Sequence, residues 1–544
     1  FQQQVVNGFF NQLIMLTVLQ ICTHEQKSTC PACKKKSVSC SWLMLLMVIY
    51  QQVVIECAAM WNSFSTRQKI GLVFGPVLFI TMLVMPLPEG MSPEAARVAA
   101  VAFLMAAFWI SEAVPIPATA MLPIFLFPAL QVMSTAATTI NYGNQINFLY
   151  IGGFMIAIAM QRWDLHRRIA LTIIVRVGSN PQMLLLGFML ATALLSMWIS
   201  NTATAMMMVP VAMAIIEQNK RHEHLENALV GDDPFGLSLM LGIAFAASIG
   251  GVSTLVGTPP NAILAGIAAT VYDIEIIFFD WMKLAVPASA TMLALTWFVL
   301  QLKLKDVHKS EEENRQLRAS VRHELQDMGS ITQEERHVAI VFGMVAVAWI
   351  LRGLVDFPAL VMVADSAIAM LGAFILFIIP ARRENGGFLL DWETAKNIPW
   401  DVIILMGGGF ALASGFSESG LTEWLANQLS VLQGVHFFII IAAVVLMVIF
   451  LTEMTSNAAT ATLFIPVMGA LAVSMDLHPF ALMVPAALAA SMAFMLPVAT
   501  PPNAIVFASR QIRIAQMAST GIKLNLIATV VISVISYFLL PLIL

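Results

Sequence analysis

Two short polar peptides each occur twice in this chain, in the same order and in strongly apolar surroundings. Ser200-Asn201-Thr202-Ala203-Thr204 runs into Pro210, and Ser456-Asn457-Ala458-Ala459-Thr460 runs into Pro466. Further along come Thr258-Pro259-Pro260-Asn261-Ala262-Ile263 and Thr500-Pro501-Pro502-Asn503-Ala504-Ile505. Gly152 and Gly408, Asn201 and Asn457, and Pro210 and Pro466 all lie 256 residues apart, whereas Asn261 and Asn503 lie 242 apart. A duplication with one loop insertion gives that pattern, and the first half carries a polar insert at 217–233. Helix-breaking peptides at corresponding places of two apolar halves point to a site built from interrupted helices.

The surroundings decide the fold class. Of 544 residues 59% are hydrophobic and 11% charged, with a mean hydropathy of +0.84; soluble chains carry about 25% charged residues. Apolar stretches recur at 70–85, 98–110, 284–300, 338–350, 367–379 and 524–540. Several fall short of the roughly 20 residues of a straight span. The expected fold is an all-α polytopic membrane protein with about 11 transmembrane helices and two re-entrant helical hairpins. The expected organisation is an extension at 1–60, a first repeat at 61–302, a cytoplasmic linker at 303–337 and a second, inverted repeat at 338–544. If residue 61 starts in the cytoplasm, every Lys and Arg beyond it except Arg97, Lys283 and Arg352 falls on the cytoplasmic side, as the positive-inside rule requires. An odd number of spans between the repeats inverts one against the other.

Composition also excludes. No Lys/Arg-rich patch suggests nucleic acid, and no G-x-x-x-x-G-K-[ST] loop is present to drive an ATP-powered pump. No His/Glu/Asp cluster has metalloprotease spacing. Ion gradients or passive flow remain as driving forces. All five cysteines (Cys22, Cys30, Cys33, Cys40, Cys57) lie in the first sixty residues. One Cys30-Pro31-Ala32-Cys33 pair is a weak metal or redox signal. Two readings of this segment stand open: upstream sequence ahead of Met60, or an extra apolar helix or anchor at 41–60.

The Ser-Asn tips carry the first part of the chemistry. Their flanks read as two half-length helices meeting at a polar turn, a backbone irregularity the membrane tolerates only where protein or water covers it. The second half-helix then aims its free N–H groups at the turn, which suits an anion without any Lys or Arg. The Thr-Pro-Pro-Asn peptides do the complementary job. Two successive prolines lack N–H groups and unwind the helix before them, at Gly257-Thr258 and Ala499-Thr500. The freed carbonyls, with Asn, Ser and Thr oxygens, suit a hard cation such as sodium, and the small Gly257 and Ala499 let backbone approach the ion. Polar residues in membrane helices often serve only as interhelical glue; four of them, paired by repetition and each breaking a helix, favour a site.

Other residues read as structural. Glu112 and Glu453 are costly carboxylates in apolar surroundings, expected to be paired rather than to relay protons or cations. Asp365 and Asp401 belong at span ends, and Gly152-Gly153 and Gly407-Gly408-Gly409 at close helix contacts. His436 and His478 sit near segment ends without a role.

The paired tips, the paired Thr-Pro-Pro-Asn loops and the run Ala490-Ser491-Met492-Ala493-Phe494-Met495-Leu496-Pro497-Val498-Ala499 together resemble the divalent anion:sodium symporters, which include the INDY-type di- and tricarboxylate carriers. The likeness covers about 65–544. It implies a homodimer whose protomers pair a fixed scaffold with a transport domain moving as an elevator. It implies one sodium held by Ser196, Ser200, Asn201 and Gly257, and a second held by Thr452, Thr455, Asn457 and Ala499. Substrate carboxylates would meet Ser200, Asn201, Thr202, Ser456 and Asn457, with Thr258, Pro259, Thr500 and Pro501 closing the pocket. One departure stands out: Ala458 replaces the Thr that many dicarboxylate carriers have in the second tip, which removes a hydroxyl from the far carboxylate.

Bringing a dianion into a cell at −100 mV costs about 4.6 kcal/mol, from about 2.3 per charge; three co-transported sodium ions, as the resemblance suggests, reverse the sign. The expected protein is a sodium-coupled importer of C4-dicarboxylates (succinate, fumarate, malate) in a bacterial inner membrane. The alternatives are sulfate, tartrate or citrate as substrate, sodium-independent dicarboxylate exchange, a transporter-like sensor, or an intramembrane enzyme.

Overall fold

The computed structural model describes residues 61, 63–178, 180–222, 233–304, 311–355, 362–382, 387–429 and 434–542. The cysteines, the apolar segment at 41–60 and most of the polar insert lie outside the described residues. Residues 66–544 form one compact unit.

Apart from one isolated bridge between Pro380 and Phe388, the regular structure among the described residues is helical. The helices of eight residues or more in the first half are α1 (Thr66–Val84), α2 (Pro93–Ser111), α3 (Leu122–Ala129), α4 (Gln145–Arg162), α5 (Leu165–Val177), α6 (Pro181–Ser196), α7 (Asn201–His222), α8 (Pro234–Gly251), α9 (Pro259–Tyr272) and α10 (Phe278–Gln301). A connecting helix α11 (Glu311–Asp327) follows. The second half holds α12 (Gln333–Leu354), α13 (Asp365–Ile378), α14 (Trp400–Glu418), α15 (Leu421–Leu429), α16 (Phe437–Thr452), α17 (Asn457–Ser474), α18 (Phe480–Ala490), α19 (Pro501–Ala508) and α20 (Ile514–Phe538). Nine of the described helical segments are long and apolar enough to cross a membrane, and shorter apolar helices include Ile116–Ala129, α6, α13, α16 and α18.

The order of elements repeats as the peptides do. α5, α6 and α7 begin 256 residues before α15, α16 and α17. Packing repeats with them, and it crosses between the halves. α9 packs on α17 and α18, while α19 packs on α7 and α8. α4 packs on α13 through Gly152, where a Cβ would sit 2.6 Å from the Ala369 backbone. Its counterpart Gly408, in α14, lies against Ala120, where a Cβ would sit 2.2 Å from the carbonyl oxygen. Exchange of equivalent contacts is what an approximate two-fold relation between halves produces. It also shows why these glycines are present: no side chain fits at either crossing.

Two elements differ from the sequence reading. The apolar part of α7 is the short stretch Asn201–Glu217, as expected of a hairpin arm, and a polar end carries the helix on to His222, whereas α17 has the length of a span. The polar stretch expected as linker ends inside α12, because Thr332 caps that helix: the Glu335 N–H donates to Thr332 Oγ1 (3.1 Å) and the Thr332 N–H to Glu335 Oε2 (2.7 Å).

One cluster of charges ties α4 and α5 to α11, α12 and the loop before α14. Arg162 pairs with Asp391 at 2.6 Å, Arg167 with Glu324 at 2.5 Å and Arg168 with Glu335 at 3.0 Å. Arg168 also donates to the carbonyls of Met328 and Gly329. The Glu335 side chain is only 3% exposed, so removing its guanidinium partner strands a buried charge. Arg168→Met is expected to lower stability by about 3 kcal/mol, read as an earlier thermal unfolding midpoint in detergent; an unchanged midpoint would show the pair to be solvent-screened.

Candidate ion and substrate site

Both Ser-Asn peptides form the expected turns. α6 ends at Ser196 and α7 starts at Asn201; α16 ends at Thr452 and α17 starts at Asn457. Ser456 forms no side-chain cap on α17, which leaves first-turn N–H groups available there, while Ser200 Oγ accepts the Ala203 N–H at 3.3 Å. Ser200, Asn201, Thr202, Ser456 and Asn457 are half-buried, as a site reachable from water requires. Pro259 and Pro501 occupy the first positions of α9 and α19, where a missing N–H costs nothing. Thr258 and Thr500 precede them in extended conformation, both buried.

Behind each tip lies the same oxygen cluster. In the first half, Ser196 Oγ is 2.5 Å from Asn201 Oδ1 and 2.8 Å from the Ala247 carbonyl. In the second, Thr452 Oγ1 is 2.8 Å from Asn457 Oδ1 and 2.9 Å from the Ala490 carbonyl. A hydroxyl carries one proton, so one of the two contacts in each cluster sets oxygen lone pairs against each other. Both halves share the amide orientation that places Oδ1 inward. A surplus of acceptors over donors in a buried place is the donor set of a hard cation. Gly251 and Gly257 crowd the first cluster: a Cβ on Gly251 would sit 2.4 Å from Asn201 Oδ1, and one on Gly257 would sit 2.3 Å from the Gly251 carbonyl. Ala499 is buried at the end of the second loop, with its N–H on the Leu496 carbonyl. Thr455 faces elsewhere; its hydroxyl bonds Thr460 Oγ1 at 2.5 Å and the Leu451 carbonyl at 3.2 Å.

The unwound loops are held by residues the sequence reading did not place. Asn261 Nδ2 donates to the carbonyls of Val252 (2.9 Å) and Thr254 (2.7 Å), and Asn503 Nδ2 to those of Ala493 (3.1 Å) and Leu496 (3.0 Å). The Asn of each Thr-Pro-Pro-Asn peptide is thus a clamp on the preceding loop. Beyond that the halves diverge. The first loop is held by Tyr150, whose Oη lies 2.8 Å from the carbonyls of both Leu255 and Thr258, and by the Trp281 N–H on the Val252 carbonyl. The second is held by Glu453. Its Oε1 accepts the N–H groups of Phe494 (2.6 Å) and Met495 (2.8 Å) and the Asn525 amide (2.8 Å); its Oε2 accepts the Leu496 N–H (3.1 Å). The expected structural pairing of this carboxylate holds, with backbone as the partner.

Glu112 ends α2 in a left-handed conformation, half-exposed and 4.0 Å from Arg67. Asp365 and Asp401 lie in the first turns of α13 and α14, and Asp365 pairs with Arg352 at 3.2 Å. His436 Nδ1 accepts the Phe438 N–H as the cap of α16. Among the described residues no group of three or more His, Cys, Asp or Glu side chains is placed to hold a metal ion.

A family profile described as the sodium:sulfate symporter transmembrane region matches residues 67–544. The chain belongs to this family. Its relatives include the sodium-dependent dicarboxylate transporter SdcS of Staphylococcus saprophyticus, 43% identical over 484 residues, spanning 88% of this chain and 93% of the relative. SdcS of Staphylococcus aureus is 42% identical over 487 residues, with 89% and 93% covered. The fold is shared more widely. The YdaH transporter of Alcanivorax borkumensis superposes with a TM-score of 0.52 at 13% identity, covering 87% of this chain and 98% of that one. MtrF of Neisseria gonorrhoeae, described as one of a class of antimetabolite efflux pumps, gives 0.52 and 13%, covering 87% and 95%. As a member of this symporter family, the chain is a multi-pass membrane transport protein rather than an enzyme.

Proposed function

We propose that the chain is a sodium-coupled importer of C4-dicarboxylates such as succinate, fumarate and malate, acting as a homodimer in a bacterial inner membrane. The observation that carries this is the twin oxygen cluster, Ser196–Asn201–Ala247 and Thr452–Asn457–Ala490, each holding more acceptors than protons beside a helix N-terminus. Each cluster would take one sodium, and the adjoining first turns of α7 and α17 would take the substrate carboxylates. The sodium dependence and dicarboxylate substrate of the SdcS relatives favour the same reading.

The elevator reading draws support from Arg67. Its guanidinium donates to the Ile110 carbonyl of α2 and, at 3.0 Å, to the Met454 carbonyl in the second tip. With α1 entering from the cytoplasm and the second hairpin from outside, that contact belongs to an inward-facing state in which the tip has travelled toward the cytoplasm. Eleven spans fit the helices: α1 alone, then five in each repeat. Those five are α2, the 116–129 pair, α4, the broken α8–α9 and α10 in the first repeat. In the second they are α12, α13, α14, α18–α19 and α20.

Sulfate is the second reading, favoured by the family's description and by Ala458, which leaves the second tip without the hydroxyl that Thr202 gives the first. Uptake of labelled succinate and of sulfate into proteoliposomes, with and without an inward sodium gradient, separates the two. Succinate accumulation that requires the gradient is expected. Sulfate accumulation alone, or succinate flux indifferent to sodium, would overturn the proposal.

A further inference from the structure

A further cavity opens beside the second hairpin, with none of the oxygen-cluster residues in its wall. It has a volume of about 590 Å³ and sits between the alanine-rich face of α2 (Ala96, Ala99, Ala106) and one face of α17 (Leu463, Phe464, Val467). Its wall carries four polar side chains, and each has its polar group occupied. The Trp109 N–H donates to the Ile116 carbonyl at 3.1 Å, and the Trp424 N–H to the Glu89 carbonyl at 3.1 Å. Thr455 and Thr460 bond each other. A polar ligand would find no side chain to pair with. Water fares no better, since about twenty molecules at roughly 30 Å³ each would lie against hydrocarbon, and apolar cavities of this kind stay dry. Left empty, the walls would lose their dispersion contacts.

The rim shows what fills it. Met85, Leu87, Phe103 and Ile110 line the cavity and are between 44% and 59% exposed. The slot is therefore continuous with the surface a spanning helix presents to lipid. Its α2 wall from Ala96 to Ile110 is about 21 Å long at 1.5 Å per residue, more than the roughly 15 Å depth of one leaflet's hydrocarbon. We infer that this slot binds the acyl chain of a membrane phospholipid, wedged between α2 and the second hairpin. The occupant is recognised by shape and apolarity alone, so it is indifferent to headgroup and to which anion the protein carries. Because α17 forms one wall, a hairpin that moves relative to α2 must slide along this chain.

The test uses the full protein in liposomes containing a phosphatidylcholine with a photoactivatable diazirine near the end of one acyl chain. After irradiation, modified peptides are mapped by mass spectrometry. Insertion into the inward wall on both sides, at Ala99 or Ala106 and at Leu463, is expected. Modification confined to outward residues such as Val73 and Phe74 would overturn the proposal. A variant filling the slot, Ala106→Trp, is expected to reduce labelling of the α17 peptide to that of a diazirine-free control while leaving the labelling of the outward residues Val73 and Phe74 unchanged. Undiminished α17 labelling in that variant would also overturn it, and the wild-type map decides the matter should the variant fail to fold.

Discussion

Replacing Asn457 by alanine is expected to abolish sodium-driven succinate uptake while the protein still reaches the membrane, and Asn201→Ala is expected to do the same. The two side chains are the central acceptors of their clusters, each within 2.8 Å of a hydroxyl that also faces a helix carbonyl. Losing either leaves its Ser or Thr hydroxyl free to donate to Ala247 or Ala490, so the fold loses only about 1 kcal/mol, the worth of one hydrogen bond. A sodium ion held as proposed loses one of its ligands. Loss of transport with near-normal stability is therefore the signature, measured as uptake per mole of reconstituted protein beside its unfolding midpoint. Normal uptake by both variants would remove these asparagines from the site. Failure of one alone would show that the two clusters are not equivalent, although the repeat places them at matching positions.

The breaks in the helices were legible because breaking is local chemistry. Two prolines remove two N–H groups whatever surrounds them, so unwinding before Pro259 and Pro501 follows from the peptide itself. The 256-residue interval fixed the correspondence of α6 with α16 and of α7 with α17 for the same reason. Close packing at Gly152 and Gly408 was foreseeable as a need for small residues, but their partners Ala369 and Ala120 were not. Partners depend on how the halves exchange contacts, which no spacing within one half encodes. The loop clamps were hidden further. Tyr150 acts on carbonyls more than 100 residues away, and Glu453 acts on backbone N–H groups, which every sequence position except proline has. A carboxylate whose partners are backbone has no complementary charge to betray it.

Glu453→Ala is expected to be the most destabilising of these substitutions. Three consecutive backbone N–H groups and the Asn525 amide converge on this buried carboxylate, an anion-binding nest formed because α18 stops at Ala490. Truncation strands the buried Phe494 N–H and Asn525 amide and leaves the half-buried N–H groups of Met495 and Leu496 without this acceptor, at about 1–3 kcal/mol for each donor left unsatisfied. The loss of several kcal/mol should appear as a much earlier unfolding midpoint and little folded protein after extraction. Glu453→Gln separates acceptor capacity from charge. The amide keeps one acceptor oxygen but turns an NH₂ group toward an N–H donor, so it should fall between wild type and alanine in stability. Sodium affinity should weaken as well, because the loop that ends in Ala499 loses its anchor. The first repeat predicts the contrast. At the position matching Glu453 it has Met197, whose carbonyl accepts the Thr254 hydroxyl at 2.5 Å, so that loop is held without a charge. Met197→Gln, which leaves the carbonyl in place, should change stability far less than either substitution at Glu453. Equal losses at the two positions would mean that the carboxylate contributes by filling space, not by gathering the N–H groups of the second loop.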